Sequence, residues 1–485
     1  MEQPLFFQLS WLDGLVFFVI LAITYSAAIL GRSYFFKTSD HSPLQIILLG
    51  RRLTLPLFVA TLVATWYGGV LGVTEISYQH GIFNFVTQGV FWYVSYLCIA
   101  FFVVPRLRAS GAITLPELVR KKFGPRAETV ASLFNLSNIL PITYIFSCGL
   151  LLDALFHIGV MPGAFLGVVI VLGYGLLGGL RSIILSDLIQ CVVMVVAVYA
   201  VFLLSWHKFG GWGYLKAELP SHYFEITGGQ SVGTLLVWGF IAFSTLVDPN
   251  FYNRIFAASS DKVARTGILI ATVIWLLIDI ATTAGGMYAA TQLKGAEPSE
   301  AYLIYAINLL PPGMKGLFLA GIIAAILSTM DSYLFLASST VSYDLQKKAS
   351  NFRLSYAKNL VLVAIISFVL AMFFTSDTPG AQGIKGIWKT FGSYSAGCML
   401  IPMMIGLFST RHFRDIHFLI ATITSAISMT LWRFLCRPYL ATIFTPDPQG
   451  QNHPLVWVKD IEELYLGLLC GLIVWLITLW QQDSR

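Results

Sequence analysis

The chain has 485 residues, of which 57% are hydrophobic and only 11% are charged, and its formal net charge is +6. About a quarter of the residues of a soluble domain are charged, so this composition excludes an ordinary soluble protein and indicates an integral membrane protein. The excess of positive charge is explained by the orientation of the spans described next, and we expect no nucleic-acid partner.

Apolar runs of about 20 residues recur along the sequence, each long enough to cross a bilayer core of about 30 Å. Thirteen runs are predicted to span, with centres near residues 22, 65, 94, 143, 170, 194, 242, 276, 328, 367, 398, 424 and 471. The predicted fold class is therefore all-α, a polytopic membrane protein with about 13 transmembrane helices. Most Lys and Arg residues, among them Arg254, fall in alternate loops, which predicts an outside N-terminus and a cytoplasmic C-terminus.

The six cysteines and eight histidines of the chain are scattered singly along the sequence. This distribution suggests neither a disulfide framework nor a metal cluster, and the histidine spacing of common metalloenzymes is absent from the sequence. We also find no nucleophile placed next to a base, so the sequence does not predict an enzyme.

The second span, "FVATLVATWYGGVLGVTEISYQHG", contains Gly68, Gly69 and Gly72, followed by Glu75 and Gln79. Three glycines weaken a helix, and backbone carbonyls released by unwinding cannot face lipid. The span is therefore predicted to be interrupted beside a cavity or an ion. The alternative is close helix packing through small residues, which is common in membranes.

The seventh span has a second interruption, where Pro249 follows Asp248 and precedes Arg254. Proline lacks the amide hydrogen and disfavours a helical conformation in the residue before it. Two interrupted spans, five apart in order, are typical of an inverted-repeat transporter whose site lies between the repeats. The predicted divisions are an extra N-terminal helix and loop, two five-helix repeats and two extra C-terminal helices, over residues 1–50, 51–208, 209–410 and 411–485.

The ninth span carries polar residues near its middle, in "AAILSTMDSYLF". On a helix, the carbonyl of Ala325 and the hydroxyls of Ser328, Thr329 and Ser332 share one face within about two turns, which offers oxygen ligands suited to Na⁺. Alternatively, the hydroxyls bond back to carbonyls four residues earlier. Asp331 favours the ion site, because a buried carboxyl group at this depth is costly without a functional partner.

Three segments resemble a known family, the sodium/solute symporters, which carry sugars, proline, pantothenate, iodide or sialic acid. They are "YGLLGGLRSIILSDLIQ" at 174–190, "DPNFYNRIFAAS" at 248–259 and "AAILSTMDS" at 324–332. The resemblance extends over nearly the whole chain. Gly175 departs slightly from the family pattern, and "ATWYGG" in the second span is more similar to the choline-type branch than to the sugar branch.

The resemblance implies a LeuT-like core of two inverted five-helix repeats that couples alternating access to Na⁺. It implies a first sodium site on the oxygens of two neighbouring spans, namely Leu62, Thr65, Ala325, Ser328 and Thr329. It also implies a second sodium site around an acidic residue of the sixth span, at Asp187, Ser328, Asp331 and Ser332. The alternative for Asp187 is an ion pair with Arg181.

The solute is expected between the two interrupted spans, against Trp66, Gly69, Asp248 and Asn250. Trp66 is alternatively a packing residue, and Asp248 alternatively pairs with Arg254. The predicted function is sodium-coupled import of a small organic solute by a protein that works as a monomer in the plasma membrane. A proton-coupled carrier of the same fold is the nearest alternative, and a membrane sensor with a transporter-like domain is a more distant one. The sequence does not identify the solute.

Overall fold

A computed structural model of the protein describes residues 9–34, 42–346, 351–375, 383–411, 413–443 and 461–483. Within these ranges the chain is helical, and a single parallel bridge between Leu53 and Ala258 is its sole β-type pairing. The helices of the first half are α1 Trp11–Tyr34, α2 Pro43–Leu48, α3 Leu55–Trp66, α4 Val70–His80, α5 Phe91–Cys98, α6 Val104–Ser110, α7 Leu115–Phe123, α8 Pro125–Ile139, α9 Ile142–Phe156, α10 Val160–Gly178 and α11 Leu180–Phe209.

The second half continues with shorter helices around several long ones. They are α12 Trp212–Glu218, α13 Val232–Ala242, α14 Pro249–Ala257, α15 Asp261–Gln292, α16 Pro298–Leu309, α17 Met314–Ser339, α18 Phe352–Thr375, α19 Gly383–Ser395, α20 Ile401–Phe408, α21 Asp415–Leu431, α22 Arg437–Ile443 and α23 Glu463–Asp483.

The predicted spans match helical segments of this structure. In the described part of the chain, ten helical segments are long and apolar enough to cross a membrane, and the pair α3–α4 forms an eleventh if it counts as one span. Two shorter apolar stretches, Val160–Leu176 and Glu463–Leu479, coincide with the two remaining predicted runs. The protein is therefore a multi-pass membrane protein, and the count of thirteen stays a prediction.

Both predicted interruptions are present, and each is a short 3₁₀ segment between two α-helices. The second span bends by 57° between α3 and α4, with 3₁₀ geometry over Tyr67–Gly69. The seventh span has 3₁₀ geometry over Phe243–Val247, and an extended residue, Asp248, then begins α14. The backbone thus tightens at both breaks, whereas the sequence predicted an unwound second span. Each break lies in the first span of a predicted repeat, whose boundaries stay a prediction.

The predicted inner loops gather at one end of the helix bundle. The Arg51 guanidinium donates to the carbonyl of Ala112 at 3.1 Å, and Arg108 pairs with Asp261 at 3.0 Å. At the other end, Tyr223 donates to the carbonyl of Tyr78 at 2.7 Å. These bonds join predicted inner loops to one another and predicted outer loops to one another, and the sidedness of the two sets stays a prediction.

One basic residue departs from this assignment. Arg254 is predicted to lie in an inner loop, but its side chain is 0% exposed within α14. The prediction was wrong because Arg254 follows the end of an apolar run, and the hydropathy of the sequence alone predicts a loop at such a position. The helix α14 instead carries the side chain back into the protein.

Helix α17 lies at the centre of the bundle. Its residues from Phe318 to Ser339 are all buried, and it packs against α1, α3, α9, α11 and α18, among others. Gly179, with φ of 57°, forms the turn between α10 and α11. That turn directs α11 along α17, and α11 carries the acidic residue of the "SDLIQ" motif to the polar stretch of α17.

Candidate functional site

Four helices contribute polar side chains to one buried cluster. Ser328 of α17 donates to Oδ1 of Asp187 on α11 at 2.5 Å. Thr61 of α3 donates to Oδ2 of the same carboxylate. All three side chains are fully buried. A carboxylate at this depth is thus supported by two hydroxyl groups, as a buried charge requires.

Arg254 completes this cluster from α14. Its Nη2 donates to the hydroxyl of Ser332 at 2.7 Å and lies 4.0 Å from Oδ2 of Asp187. The guanidinium also donates to Thr61 at 3.4 Å. The positive charge near Asp187 therefore belongs to Arg254. Arg181, the partner considered from sequence, donates to Gln45 at 3.5 Å.

The two interrupted spans are joined directly beside this cluster. Asn250, in the first turn of α14, donates from Nδ2 to the hydroxyl of Thr65 near the end of α3 at 3.2 Å. Thr65 in turn donates to the carbonyl of Thr61 at 2.6 Å. Thr61 and Thr65 are one turn apart on α3, and Asn250 and Arg254 are one turn apart on α14. The helices therefore contact each other at two successive levels.

The residues proposed for the first sodium site lie around the break of the second span. Thr329 donates to the carbonyl of Ala325 at 3.0 Å, and a methyl group added at Gly68 would meet that carbonyl at 3.0 Å and overlap Thr329. Thus the break touches the hydroxyl face of α17 at Gly68. Leu62 and Thr65 lie in the last two turns of α3, both with 0% exposure, where helix carbonyls begin to lose their α-helical partners.

The residues proposed for the second sodium site bond to different partners. Asp187 and Ser328 are bonded to each other, whereas Ser332 holds Arg254. Asp331 instead accepts from the Tyr174 hydroxyl of α10 at 2.6 Å. Its other oxygen, Oδ1, is buried without a hydrogen-bond partner in the described part of the chain. Sequence reasoning missed both Arg254 and Tyr174 as neighbours of this set.

A cavity of about 160 Å³ lies beside the cluster, within the helix bundle. Gly69 and Asp248, two of the four predicted solute contacts, line it. Asn250 is buried behind the wall, where it bonds to Thr65. The side chain of Trp66 lies outside the described residues. Two of the four predicted residues therefore line this cavity, and their contact with a solute stays a prediction.

Asp248 has a structural role that neither sequence interpretation included. Its Oδ1 accepts from the backbone amides of Asn250 at 2.8 Å and Phe251 at 3.0 Å. It is therefore the N-cap of α14, and Pro249 occupies the first helical position, where a missing amide hydrogen does no harm. Among the described residues, the carboxylate bonds to these two amides and forms no ion pair with Arg254.

Most of the cavity wall was not predicted from the sequence. Its large aromatic side chains come from six helices, namely Trp92, Tyr96, Tyr144, Trp238, Trp275, Tyr333 and Phe391. Asp279 supplies a second carboxylate and accepts from the Tyr93 hydroxyl at 2.5 Å. One available signal was the i, i+4 spacing of Trp92 with Tyr96 and of Trp275 with Asp279, which places each pair on one helix face.

The fourth span contributes to the cavity through a further break. Helices α8 and α9 are separated at Leu140–Pro141, and Asn138 and Leu140 line the cavity there. Pro141 lies within an apolar run, so its position was the signal for this interruption. The seventh and fourth spans are therefore both broken at a proline beside the same cavity.

Comparison with known proteins gives concordant results. Residues 46–415 match the sequence model of the "Sodium:solute symporter family". The chain is 24% identical to the "High-affinity proline transporter PutP" of Bacillus subtilis over 344 residues, 64% of this chain and 72% of the relative. It is 26% identical to the "Sodium/proline symporter" of Staphylococcus aureus over 341 residues, 64% of this chain and 65% of that relative.

Solved structures show the same fold. A Na⁺-coupled sialic acid symporter, described in a substrate-bound outward-open state, aligns with a TM-score of 0.76 at 17% identity, covering 97% of this chain and 98% of the other. A manganese transporter of Eremococcus coleocola aligns with a TM-score of 0.52 at 14% identity, covering 91% and 96%.

Proposed function

Because this chain belongs to the sodium:solute symporter family and has the LeuT-like fold of its structural relative, we propose that it imports a small organic solute by alternating access around the cavity beside Asp248. The protein is a sodium-coupled symporter and not an enzyme. The finer assignments that follow, of ions, residues and orientation, are part of this proposal.

The observation that carries the proposal is the bonded path between the cavity and the polar cluster. Asp248 lines the cavity and caps α14, and two residues later Asn250 bonds to Thr65 of the other broken span. An ion bound among the oxygens of α3 and α17 would therefore fix the position of α14 and of the cavity wall. This linkage is what coupling of ion and solute binding requires.

The first sodium ion is assigned to carbonyl oxygens of Leu62, Thr65 and Ala325 and to the hydroxyls of Ser328 and Thr329. The contact of Gly68 with Thr329 and Ala325 supports this assignment, because it brings the break of the second span against these α17 oxygens. Neutral oxygen ligands at membrane depth suit a monovalent cation, since few charges need to be buried.

The second sodium ion is assigned to Asp187 with Ser328, Asp331 and Ser332. Arg254 bonds to Ser332 and faces Asp187, so its guanidinium compensates the carboxylate in this structure. We propose that the guanidinium withdraws from Asp187 when Na⁺ enters, because two cations beside one carboxylate repel each other. The unbonded Oδ1 of Asp331 supports a further ligand position on α17.

Transport in proteoliposomes tests the proposed function. Uptake of labelled L-proline, sugars, monocarboxylates, vitamins and quaternary amines is measured with an imposed sodium gradient at equal pH, and then with a proton gradient without sodium. We expect accumulation of one solute class under the sodium gradient alone. Accumulation under the proton gradient alone would support the proton-coupled alternative.

The protein is placed in the plasma membrane with its N-terminus outside, its C-terminus in the cytoplasm and a monomer as the working unit. Contacts within each set of predicted loops support the alternation of the spans, and the excess of Lys and Arg in one set supports its placement in the cytoplasm. The two carboxylates of the cavity wall and the enclosed polar cluster lie within one chain, which supports a monomer.

A further inference from the structure

The wall of the cavity combines carboxylates with aromatic rings. We infer that the solute carries a positively charged ammonium or amine group, held between these rings and the carboxylate of Asp248. The inference rests on the proposed function, since it takes the cavity as the solute site. The family carries solutes of several chemical classes, and the inference selects one of these classes for this chain.

The charge of the wall is the first step. Asp248 and Asp279 line the cavity, and no Lys, Arg or His is among its described lining residues. Arg254 bonds to Ser332 and lies beside Asp187, and it is not one of the residues that line the cavity. A positively charged partner on the cavity side would stabilise the carboxylate of Asp248 at this depth. A cationic solute supplies that partner, whereas a neutral sugar does not.

The state of Asp248 is the second step. The side chain is 6% exposed, and its Oδ1 accepts the two capping amides. The other oxygen, Oδ2, takes part in no hydrogen bond or ion pair found among the described residues. Asp279, in contrast, accepts from Tyr93. The cap thus fixes the orientation of Asp248 and leaves one oxygen for a ligand.

The aromatic wall is the third step. The rings of Tyr96 and Trp275 lie 4.6 Å apart at 41°, and those of Tyr144 and Tyr333 lie 5.3 Å apart in an edge-to-face arrangement. Trp92 and Trp238 extend the wall. Aromatic rings around a cavity attract organic cations through their electron-rich faces, and quaternary ammonium groups are recognised in this way.

A solute that bears only a carboxylate fits this wall poorly, because its negative charge would face Asp248 and Asp279 with no basic side chain among the described lining residues. The amine of a zwitterion such as proline could pair with Asp248, but its carboxylate would then need the sodium ion as its partner. The cavity therefore favours cations over zwitterions, and zwitterions over anions.

Binding to the purified full-length protein tests the inference. Choline, tetramethylammonium and putrescine are titrated in sodium buffer, with L-proline for comparison and 3,3-dimethylbutan-1-ol as the uncharged isostere of choline. Binding is followed by tryptophan fluorescence and by thermal unfolding. We expect at least one cation to bind, and choline, if it is that cation, to bind at least tenfold more tightly than its isostere.

Asp248→Asn is the decisive variant, because asparagine also caps a helix and therefore removes the charge while keeping the cap. We expect at least a tenfold loss of affinity for the bound cation, with sodium-dependent thermal stabilisation retained. Asp153→Asn is the matched control, since the Asp153 carboxylate accepts the amide of Gly159 at 2.7 Å and does not line the cavity. It should leave cation affinity unchanged.

Three results would overturn the inference. They are equal affinity for choline and its isostere where choline binds, unchanged cation affinity in Asp248→Asn, and no cation binding while sodium still stabilises the protein. The third result contradicts only the inferred class of solute and is compatible with sodium-coupled transport. Absence of any sodium-dependent stabilisation, with potassium as the reference cation, contradicts the proposed function as well.

Discussion

Ser328 and Thr329 are neighbours in sequence but use their hydroxyls differently. Ser328 donates to Asp187 on another helix, whereas Thr329 donates to the carbonyl one turn earlier on its own helix. The sequence left open whether these hydroxyls bond back or form a site, and the structure contains one example of each. For an ion to bind, Thr329 has to give up only a bond within its own helix, whereas Ser328 has to give up a bond to the carboxylate of another helix. Bonds of the first kind compete with other hydrogen bonds of the same backbone.

Replacing both residues, Ser328→Ala with Thr329→Ala, removes two hydroxyl ligands from the first sodium site and keeps the backbone carbonyls. The apparent sodium affinity should fall at least tenfold, which corresponds to about 1.4 kcal/mol or more. Sodium titration of the initial uptake rate measures it. The adjacent hydroxyls of Ser338 and Ser339 on the same helix, replaced together by Ala, form the control. Equal sodium affinity in the wild type and the first double variant would reject the site.

Gly68 is a second residue whose role depends on close approach. An added Cβ would overlap Thr329 and meet the carbonyl of Ala325 at 3.0 Å. Gly68→Ala should therefore separate the break of the second span from α17 and reduce sodium-driven uptake at least tenfold, measured at equal protein content. In Gly175→Ala the new methyl group meets only Leu360 at 3.4 Å, so uptake should persist. Normal uptake by Gly68→Ala would show that the close approach is not required.

At the scale of helices, α14 links the parts of the site. Its N-cap Asp248 lines the cavity, Asn250 reaches α3, and Arg254 reaches α11 and α17. All nine residues of α14 are buried. This short helix carries its cap and the Asn250 amide in the first turn and the Arg254 guanidinium one turn later. A shift of the helix would therefore change both the ion site and the shape of the cavity.

Asp187→Asn tests this link. The change removes the charged ligand of the second sodium site and leaves Arg254 without its nearby carboxylate. If two ions are coupled, the Hill coefficient for sodium should exceed one in the wild type and fall towards one in the variant, with transport still sodium-dependent. Asp344→Asn, which alters a buried carboxylate that accepts from Thr114 at 2.6 Å, is the control. Since loss of one member of a buried ion pair costs about 3 to 5 kcal/mol, folded protein is quantified in parallel.

A Hill coefficient of one in the wild type, together with a flux ratio of one sodium per solute, would contradict the second site. In that case Arg254 would be the permanent partner of Asp187. The unbonded oxygen of Asp331 would then need another explanation.

Local patterns predicted some parts of these elements and not others. The hydroxyl face of α17 and the break at Pro249 were visible because spacing along one helix and the geometry of proline are local properties. The bond from Tyr174 to Asp331 and the approach of Arg254 to Asp187 join helices far apart in the chain. Such contacts depend on helix packing, which periodicity does not encode, and the cavity wall escaped prediction for the same reason.

At the scale of the molecule, hydrophobic runs and basic loops indicated the architecture because the bilayer constrains both. The predicted runs coincide with helical segments, and the loops separate to two ends. The bilayer does not constrain the interior of the bundle in the same way. Arg254 was predicted to lie in a loop because a buried arginine is rare at that depth. In the structure its guanidinium contacts partners on three other helices.

Surface labelling measures the orientation of the whole molecule. In a background without native cysteines, Glu297→Cys should react with an impermeant thiol reagent added outside intact cells, while Arg126→Cys should react only after the membrane is opened. Both positions are exposed in the structure. Glu297 lies beside a predicted outer loop and Arg126 in a predicted inner one. The reverse labelling pattern would invert the proposed topology.

The enclosure of α17 has a consequence for hydrogen exchange. Its amide hydrogens lie in a helix whose side chains from Phe318 to Ser339 are buried on all sides, so deuterium reaches them only when neighbouring helices separate. Local opening at the cavity edge should instead expose the amides around the breaks at Gly68 and Asp248. Exchange at α17 would then report the opening of the whole bundle, and exchange at the breaks would report the conformational cycle of the carrier.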